Sequence, residues 1–158
     1  MKIGILSDTH LKEPHPEFKR IIEAHLKEVD QIFHAGDFVD RSIVEYLSSL
    51  KELTAVCGNM DPPDIQRALP NRRVIELGRF RIGLIHGGGS PIGIESRVRE
   101  QFSEVDAIVY GHTHLPANHR VKDIFFFNPG SLTRSPIHRP TLGILHIGEQ
   151  IEGEMVYI

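Results

Sequence analysis

The sequence predicts an α/β fold built on two β-sheets, from two features of its hydrophobic pattern. In the first half of the chain, short apolar runs alternate with helical periodicity, which is the order of a largely parallel sheet. The second half contains mostly strand-like runs, so we expect it to form a second sheet packed on the first. With 158 residues and 40% apolar composition, the chain has the size of one ordinary domain. We therefore expect residues 1–158 to form a single domain.

The first half begins with an apolar run at residues 2–6, which ends at the polar pair Ser7-Asp8 and predicts a buried strand. Residues 16–29 then place apolar side chains at helical spacing, and Pro16 is tolerated in the first turn of a helix. The same order recurs along the chain and predicts strands at 31–34 and 53–56 and helices at 41–50 and 64–69.

The second half departs from the parallel pattern. Two apolar runs at 74–77 and 81–85 are joined tightly at Gly78-Arg79, which predicts an antiparallel hairpin. Ser90 and Pro91 offer an N-cap and a first-turn proline for a helix that continues to about residue 101. The remaining apolar runs predict strands at 106–110, 124–127, 142–147 and 151–158, with a further strand-like position at Val121.

Charge and cysteine content exclude several classes of protein. The 18 basic and 21 acidic residues are intermixed and give a net charge of −3, so the chain lacks the positive field of a nucleic-acid or membrane-surface binder. We expect no membrane partner and no strong nucleic-acid binding. The sequence is compatible with a homo-oligomer. Cys57 is the only cysteine, no apolar stretch approaches the roughly 20 residues that span a bilayer, and the apolar stretch within residues 1–6 is shorter than the apolar region of a signal peptide. These features predict a cytoplasmic protein.

Five short polar clusters each follow a predicted strand. In open α/β sheets, binding sites form at the carboxyl ends of the strands, so we expect the five clusters to meet there. Together they offer carboxylates, an amide and four imidazoles, which suit two adjacent divalent transition metals. The clusters are Asp8-Thr9-His10, Gly36-Asp37-Phe38-Val39-Asp40, Gly58-Asn59-Met60-Asp61, His86-Gly87-Gly88-Gly89 and Gly111-His112-Thr113-His114.

The clusters differ in how specific they are. Asp8 and His10 alone are typical of a strand end, and Gly58 to Asp61 alone are typical of a turn. Two imidazoles that flank one residue, as in His112-Thr113-His114, are the strongest single indication of a metal. They are followed by Leu115-Pro116, which excludes the His-x-His-x-Asp-His loop of metallo-β-lactamases. The glycines after His86 lack the Gly-Lys-Ser/Thr ending of a P-loop, and we interpret them as clearance around a ligand.

The ordered set of five motifs resembles the calcineurin-like metallophosphoesterase superfamily, and most closely its small, single-domain YfcE-like phosphodiesterase branch. Asn128-Pro129-Gly130-Ser131 resembles a further segment of that branch. The resemblance implies an α/β fold in four layers, an α/β/β/α sandwich of two mixed sheets flanked by helices, with the site at the carboxyl ends of the strands.

The resemblance also implies which residues bind two divalent metal ions. Asp37 would bridge the ions, Asp40 and Asp61 would orient ligands or fix imidazole tautomers, and manganese or nickel is favoured over iron, cobalt or zinc. One ion would be bound by Asp8, His10, Asp37 and His114, and the other by Asn59, His86, His112 and Asp37. The residues expected to act in catalysis are Asn59, Asp61, His86 and His112.

Two such metals would lower the pKa of a bridging water and provide hydroxide for in-line attack on a small phosphodiester. The alternatives are a phosphomonoesterase or phosphoprotein phosphatase, and a non-catalytic protein-binding scaffold such as the retromer subunit that shares this fold. A DNA-repair nuclease is disfavoured because the chain has no basic surplus. Candidate substrate contacts outside the metal ligands are Lys12, His34, Ser131, Arg134 and Arg139.

One position departs from the family pattern and bears on the substrate. Many members carry a histidine directly after the metal-binding asparagine, where it can protonate the leaving oxygen, and this chain has Met60. Because methionine cannot donate a proton, we expect esters with acidic leaving groups, such as aryl diesters, to be turned over better than alkyl monoesters.

Overall fold

The computed structural model describes residues 1–133 and 138–158 and arranges them in four layers, as expected. Two five-stranded sheets pack face to face, and helices cover the outer face of each sheet. The helices are α1 (Pro16–Leu26), α2 (Arg41–Leu50), α3 (Pro63–Ala68) and α4 (Ile94–Arg99). The strands are β1 (Lys2–Leu6), β2 (Gln31–His34), β3 (Glu52–Ala55), β4 (Arg72–Leu77), β5 (Phe80–Ile85), β6 (Ala107–Val109), β7 (Ala117–Val121), β8 (Ile124–Asn128), β9 (Thr141–Ile147) and β10 (Ile151–Tyr157).

Both sheets are mixed, which confirms the predicted fold class. The first sheet has the order β10-β9-β1-β2-β3, in which β1, β2 and β3 are parallel and β9 and β10 are antiparallel additions. The second has the order β4-β5-β6-β8-β7, with β5, β6 and β8 parallel at its centre. The predicted hairpin is present, because β4 and β5 pair antiparallel from Leu77–Phe80 outward.

Alternation along β1 divides the hydrophobic core into layers. Ile3 and Ile5 are buried between the two sheets, whereas Gly4 lies against α1, where a Cβ atom would come within 2.7 Å of Leu26. The outer side of the first sheet is filled by Phe18 and Ile22 of α1 together with residues of α2. A third apolar cluster holds α4 on the second sheet. The parallel strands are thus fixed from both faces.

The helix predicted to begin at Ser90 begins later. α4 spans Ile94–Arg99, and its N-cap position is Gly93, which has a left-handed φ of 74°. The Ser90 hydroxyl instead accepts the backbone N–H of Ile92 at 3.2 Å and closes a local turn. The expectation of a Ser90 cap was therefore wrong, because the chain turns back before it becomes helical. Within the described residues, no helix is both long enough and apolar enough to cross a bilayer.

Substitution of Gly143 tests the packing between the antiparallel strands and the second sheet. The Phe127 ring lies against Gly143 and Gly153, and a Cβ atom on Gly143 would overlap Phe127 Cε1. We expect Gly143→Ala to lower the free energy of unfolding by about 1–3 kcal/mol through overpacking, measured by urea denaturation. The control is Gly148→Ala, whose added Cβ meets nothing within 4 Å and which we expect to change stability by about 0.5 kcal/mol or less. Equal stability of the two variants would contradict this packing.

Candidate metal centre

The carboxyl ends of strands from both sheets bring the predicted ligands together. A contact between the sheets defines the site: His114 Nε2, after β6, lies 3.2 Å from Asp8 Oδ1, after β1. Backbone hydrogen bonds connect the loops within each sheet. The Asp8 N–H donates to the Gly36 carbonyl, and the Gly111 N–H donates to the His86 carbonyl. The seven ligand candidates Asp8, His10, Asp37, Asn59, His86, His112 and His114 all contribute to the resulting crevice.

The first donor cluster consists of Asp8, His10 and His114. The two imidazole Nε2 atoms are 3.1 Å apart, and they lie 3.8 Å (His10) and 3.2 Å (His114) from Asp8 Oδ1. Asp8 is completely buried, its Oδ2 accepts the backbone N–H of His112 at 3.0 Å, and within the described residues no aligned hydrogen-bond donor reaches Oδ1. A buried carboxylate oxygen that faces two imidazoles without a donor is suited to a cation.

The second donor cluster is centred on the Asn59 amide. Its Oδ1 atom lies 3.1 Å from His86 Nε2 and 3.1 Å from His112 Nδ1. His86 is buried and His112 is half-buried, so the cluster extends from the interior of the crevice to its mouth. The amide therefore connects loops that follow strands of different sheets.

Asp37 lies between the two clusters. Its Oδ2 atom is 3.3 Å from His86 Nε2 and 3.8 Å from His10 Nε2, while its Oδ1 atom accepts the Met60 N–H at 2.7 Å. The contact with Met60 fixes the carboxylate so that one oxygen faces imidazoles of both clusters. A Cβ atom on Gly58 would overlap Asp37 Oδ1, and glycine there leaves the space that this orientation needs.

The electrostatics of the crevice keep its carboxylates ionised. Burial raises the pKa of Asp8, but the His10 and His114 side chains lower it by a larger amount. The net pKa of Asp8 therefore lies well below the ordinary range. Asp37 follows the same pattern: burial raises its pKa and His86 lowers it more. The Asp8 carboxylate in turn raises the pKa of His114. The crevice thus presents anionic oxygens in a site largely removed from water.

Backbone carbonyls determine the tautomers of two imidazoles. His86 Nδ1 donates to the Ala35 carbonyl at 2.7 Å, and His112 Nε2 donates to the Gly89 carbonyl at 2.9 Å, because a carbonyl oxygen can only accept. In the neutral imidazoles, the opposite nitrogens then direct lone pairs at Asn59 Oδ1, which has no proton to share. Metal-binding histidines have this arrangement, in which the second ring nitrogen donates to a fixed oxygen.

Donor spacing provides a further test of fit. Two nitrogen or oxygen ligands at about 2.0–2.1 Å from an ion, at octahedral or tetrahedral angles, lie roughly 2.8–3.4 Å apart. Five of the seven contacts described above fall between 3.1 and 3.3 Å, and the two from His10 Nε2 to Asp8 and Asp37 are longer, at 3.8 Å. Asp8 belongs to two groups of donors in which all atoms lie within 4.8 Å of one another, one with His10 and His114 and one with Asp37 and His86. The residues present fit two neighbouring divalent ions.

The ligand loops adopt a backbone conformation that side chains normally avoid. Left-handed φ values of 45–69° occur at Asp8, His10, Asp37, His112 and His114. Such a residue costs on the order of 1–2 kcal/mol, although Asp and His are among the residues that tolerate it best. The periodicity of apolar residues does not reveal this left-handed backbone conformation. In the sequence, only the glycines before Asp37 and His112 indicated sharp local bends.

The Asp61 side chain stabilises the backbone of two of these loops. Its carboxylate accepts the N–H groups of Asp37 at 3.0 Å, Val39 at 2.9 Å and Gly58 at 2.8 Å. Asp61 therefore holds together the two loops that carry Asp37 and Asn59, and it does not face an imidazole. Asp61 was expected to act in catalysis, and its hydrogen bonds position the loops that carry two candidate metal ligands.

Asp40 has a different role from the expected one. Its carboxylate accepts the N–H of Ser42 at 2.9 Å and caps the N-terminus of α2. The expectation that Asp40 orients a metal ligand was wrong, because a helix begins at the next residue and its N-cap position takes up the side chain.

The candidate substrate contacts also change. His34 is completely buried and stacked on Phe38 at a centroid distance of 3.5 Å, and burial lowers its pKa to about 3. Ser131 is buried as well, and its hydroxyl donates to the Asp8 carbonyl at 2.7 Å. Neither side chain can reach a substrate, so both expectations were wrong. Arg139 lies over the Tyr157 ring at 5.8 Å, and Arg134 lies outside the described residues.

A cleft of about 440 Å³ opens beside the second cluster. Asn59, His86 and the two glycines that follow His86 are among its lining residues. It could hold the part of a ligand that extends beyond a metal-bound group. Further lining residues with polar side chains are Gln66, Asn71, Arg97 and Gln101.

Similarity to known proteins indicates the family of this chain. Residues 1–150 match the calcineurin-like phosphoesterase superfamily domain. A probable metallophosphoesterase of Methanothermobacter thermautotrophicus is 34% identical over 99% of this chain and 92% of its own length. The structure of an archaeal phosphodiesterase superposes with a TM-score of 0.80 and 27% identity over the full length of both chains.

A further solved structure, that of Vps29 from Entamoeba histolytica in complex with Zn²⁺, has a TM-score of 0.75 and 23% identity over 99% of both chains, and it supports the fold. The family match covers nearly the whole chain. The chain belongs to the calcineurin-like phosphoesterase superfamily.

Proposed function

We propose that this protein is a phosphodiesterase that binds two divalent metal ions in the strand-end crevice. The observation that carries the proposal is Asp37 Oδ2, which faces imidazoles of both donor clusters, at 3.3 Å and 3.8 Å. One ion would be held by Asp8, His10, His114 and Asp37. The other would be held by Asn59, His86, His112 and Asp37.

Two ions in these positions would lower the pKa of a coordinated water and neutralise charge on phosphoryl oxygens. The chain's own contribution is to hold buried, ionised carboxylates and imidazoles in place before any ligand arrives. The Asn59 Oδ1 atom faces His86 and His112, which leaves its amide N–H₂ available to donate to a phosphate oxygen. Asn59 would thus both bind an ion and orient the phosphate.

The choice of a diester rests on the leaving group. Met60 is 58% exposed beside the ligand Asn59, and its thioether cannot protonate a departing alkoxide. Leaving groups that depart without a proton, such as aryl oxides, are therefore favoured. The archaeal phosphodiesterase among the structural relatives supports the same substrate class.

We also propose manganese or nickel as the ions and the cytoplasm as the location. The mixture of carboxylate, amide and imidazole donors suits first-row divalent ions without selecting one of them. The single, buried Cys57 is typical of a protein from a reducing compartment. The net charge of −3 favours a small diester over a nucleic acid as substrate.

The second candidate function is a protein-binding scaffold, which the likeness to Vps29 favours. Because that protein is itself described in complex with Zn²⁺, metal binding alone does not separate the two functions. Turnover does: a scaffold would bind metal without hydrolysing bis(p-nitrophenyl) phosphate. The purified protein loaded with Mn²⁺ or Ni²⁺ should hydrolyse this diester, and no turnover with either ion would favour the scaffold.

Replacement of the shared carboxylate tests the two-ion site. We expect Asp37→Asn to reduce the bound metal from two ions per chain to one or none, and to reduce diester turnover by roughly 100-fold or more, because the amide loses the charge that faces both clusters. Metal content after equilibrium dialysis and kcat/KM provide the readouts.

The matched control is Asp40→Asn, three residues away in the same loop. Since asparagine caps helices about as well as aspartate, this variant should keep both its metal content and its activity. Two ions and unchanged turnover in Asp37→Asn would refute the shared role of Asp37.

Met60 provides a test of the substrate preference. Wild-type protein should show a higher kcat/KM for bis(p-nitrophenyl) phosphate than for an alkyl phosphomonoester, and Met60→His should raise kcat/KM for alkyl esters by about 10²-fold if the new imidazole acts as a general acid. A wild-type preference for the alkyl monoester would overturn the assignment. Met60→Gln, which adds polarity without a titratable proton, is the control for the histidine variant.

A further inference from the structure

The orientation of His112 depends on a loop that has no regular structure. His86 donates to the Ala35 carbonyl, which lies at the buried end of β2. His112 donates instead to the Gly89 carbonyl, in the glycine-rich segment between β5 and α4. Of these two imidazoles, His112 therefore has the partner that the core does not fix.

Glycine makes this segment intrinsically difficult to hold in one conformation. Gly87, Gly89 and Gly93 have left-handed φ values of 93°, 76° and 74°. These values suit glycine, but glycine also has the largest conformational freedom to lose on folding. A fixed Gly89 carbonyl therefore requires an anchor outside the segment.

Arg97 is positioned to be that anchor. Its Nε and Nη2 atoms donate to the Gly88 carbonyl at 3.3 Å and 3.1 Å, Nη1 donates to the Ile92 carbonyl at 2.9 Å, and Nη2 also donates to the Ser90 carbonyl. These carbonyls flank Gly89 on both sides. The planar guanidinium has the fixed fork of donors that such a multiple contact needs.

The other surroundings of Arg97 agree with this role. Its neighbours Ile94 and Val98 are buried against the second sheet, so the helix that carries Arg97 is anchored in the core. Among the described residues, no carboxylate forms an ion pair with Arg97. The Arg97 side chain donates to carbonyls of the glycine loop, and the same loop contacts the candidate metal ligand His112.

We propose that Arg97 is a positioning residue for the second metal ion. It fixes the glycine loop, and the loop holds the Gly89 carbonyl against His112 Nε2–H, so that the Nδ1 lone pair of His112 faces the site beside Asn59. The inference rests on the proposed two-ion site, and it assigns to Arg97 a role in metal affinity without contact with the metal.

Metal binding by Arg97→Met and Arg97→Lys tests the proposal. Titration of the metal-free protein with Mn²⁺ should show the second ion binding about tenfold more weakly in Arg97→Met, since loss of an outer support for a ligand weakens affinity by about 10–100-fold, whereas the first ion binds as in wild type. Arg97→Lys, which keeps the charge but not the fork, should lie between. The control is Arg99→Met on the same helix, whose guanidinium donates to the Phe102 carbonyl at the end of α4 and which should bind both ions normally.

The imidazole of His112 provides a readout that does not depend on metal. In ¹⁵N-detected NMR of the metal-free wild type, His112 should be in the Nε2–H tautomer, and Arg97→Met should shift it toward an average of the two tautomers. Unchanged affinity for the second ion together with an unchanged His112 spectrum would overturn the proposal. If wild-type protein binds fewer than two ions, the proposed function fails and the His112 spectra alone decide the role of Arg97. If Arg97→Met does not fold, Arg97→Lys provides both measurements.

Discussion

The Asp37 carboxylate is the group on which the site depends. Its Oδ2 faces imidazoles delivered by strands of both sheets, and its Oδ1 is fixed by the Met60 N–H. Asp61 holds the backbone at Asp37, and Gly58 leaves the space that the carboxylate occupies. An anionic oxygen at this depth requires compensation by positive charge or by hydrogen-bond donors, and the imidazoles of His86 and His10 lie 3.3 Å and 3.8 Å from it. The two proposed ions would supply positive charge at this position.

The fold makes this arrangement possible because packing holds the strands in regular conformations, while the strained backbone lies in the loops at the strand ends. Layers of apolar side chains hold the parallel strands on both faces, while five ligand residues adopt left-handed backbone conformations. Strained residues persist only where the surrounding structure determines their conformation. Here Asp61, Ser131 and the carbonyls of Ala35 and Gly89 do so, by hydrogen bonds to the ligand loops and to the ligands themselves.

The sequence predicted most of the fold and which side chains meet in the crevice, because both leave regular patterns. Strand ends followed by Asp, Asn or His were enough to bring seven donors together. The roles of supporting residues were not predictable, since they depend on three-dimensional direction: Asp40 caps a helix, His34 stacks in the core, and Ser131 holds the Asp8 loop. Arg97 carried no motif at all. Its function becomes visible only when the carbonyls it contacts are traced to His112.

The positions of bound metal ions test the two-ion site most directly. A crystal of the protein grown with Mn²⁺, measured at a wavelength where manganese scatters anomalously, locates the ions without reference to activity. We expect two anomalous peaks about 3.5–4 Å apart, one among Asp8, His10 and His114 and one among Asn59, His86 and His112, with Asp37 in contact with both. A single peak, or peaks away from Asp37, would contradict the account.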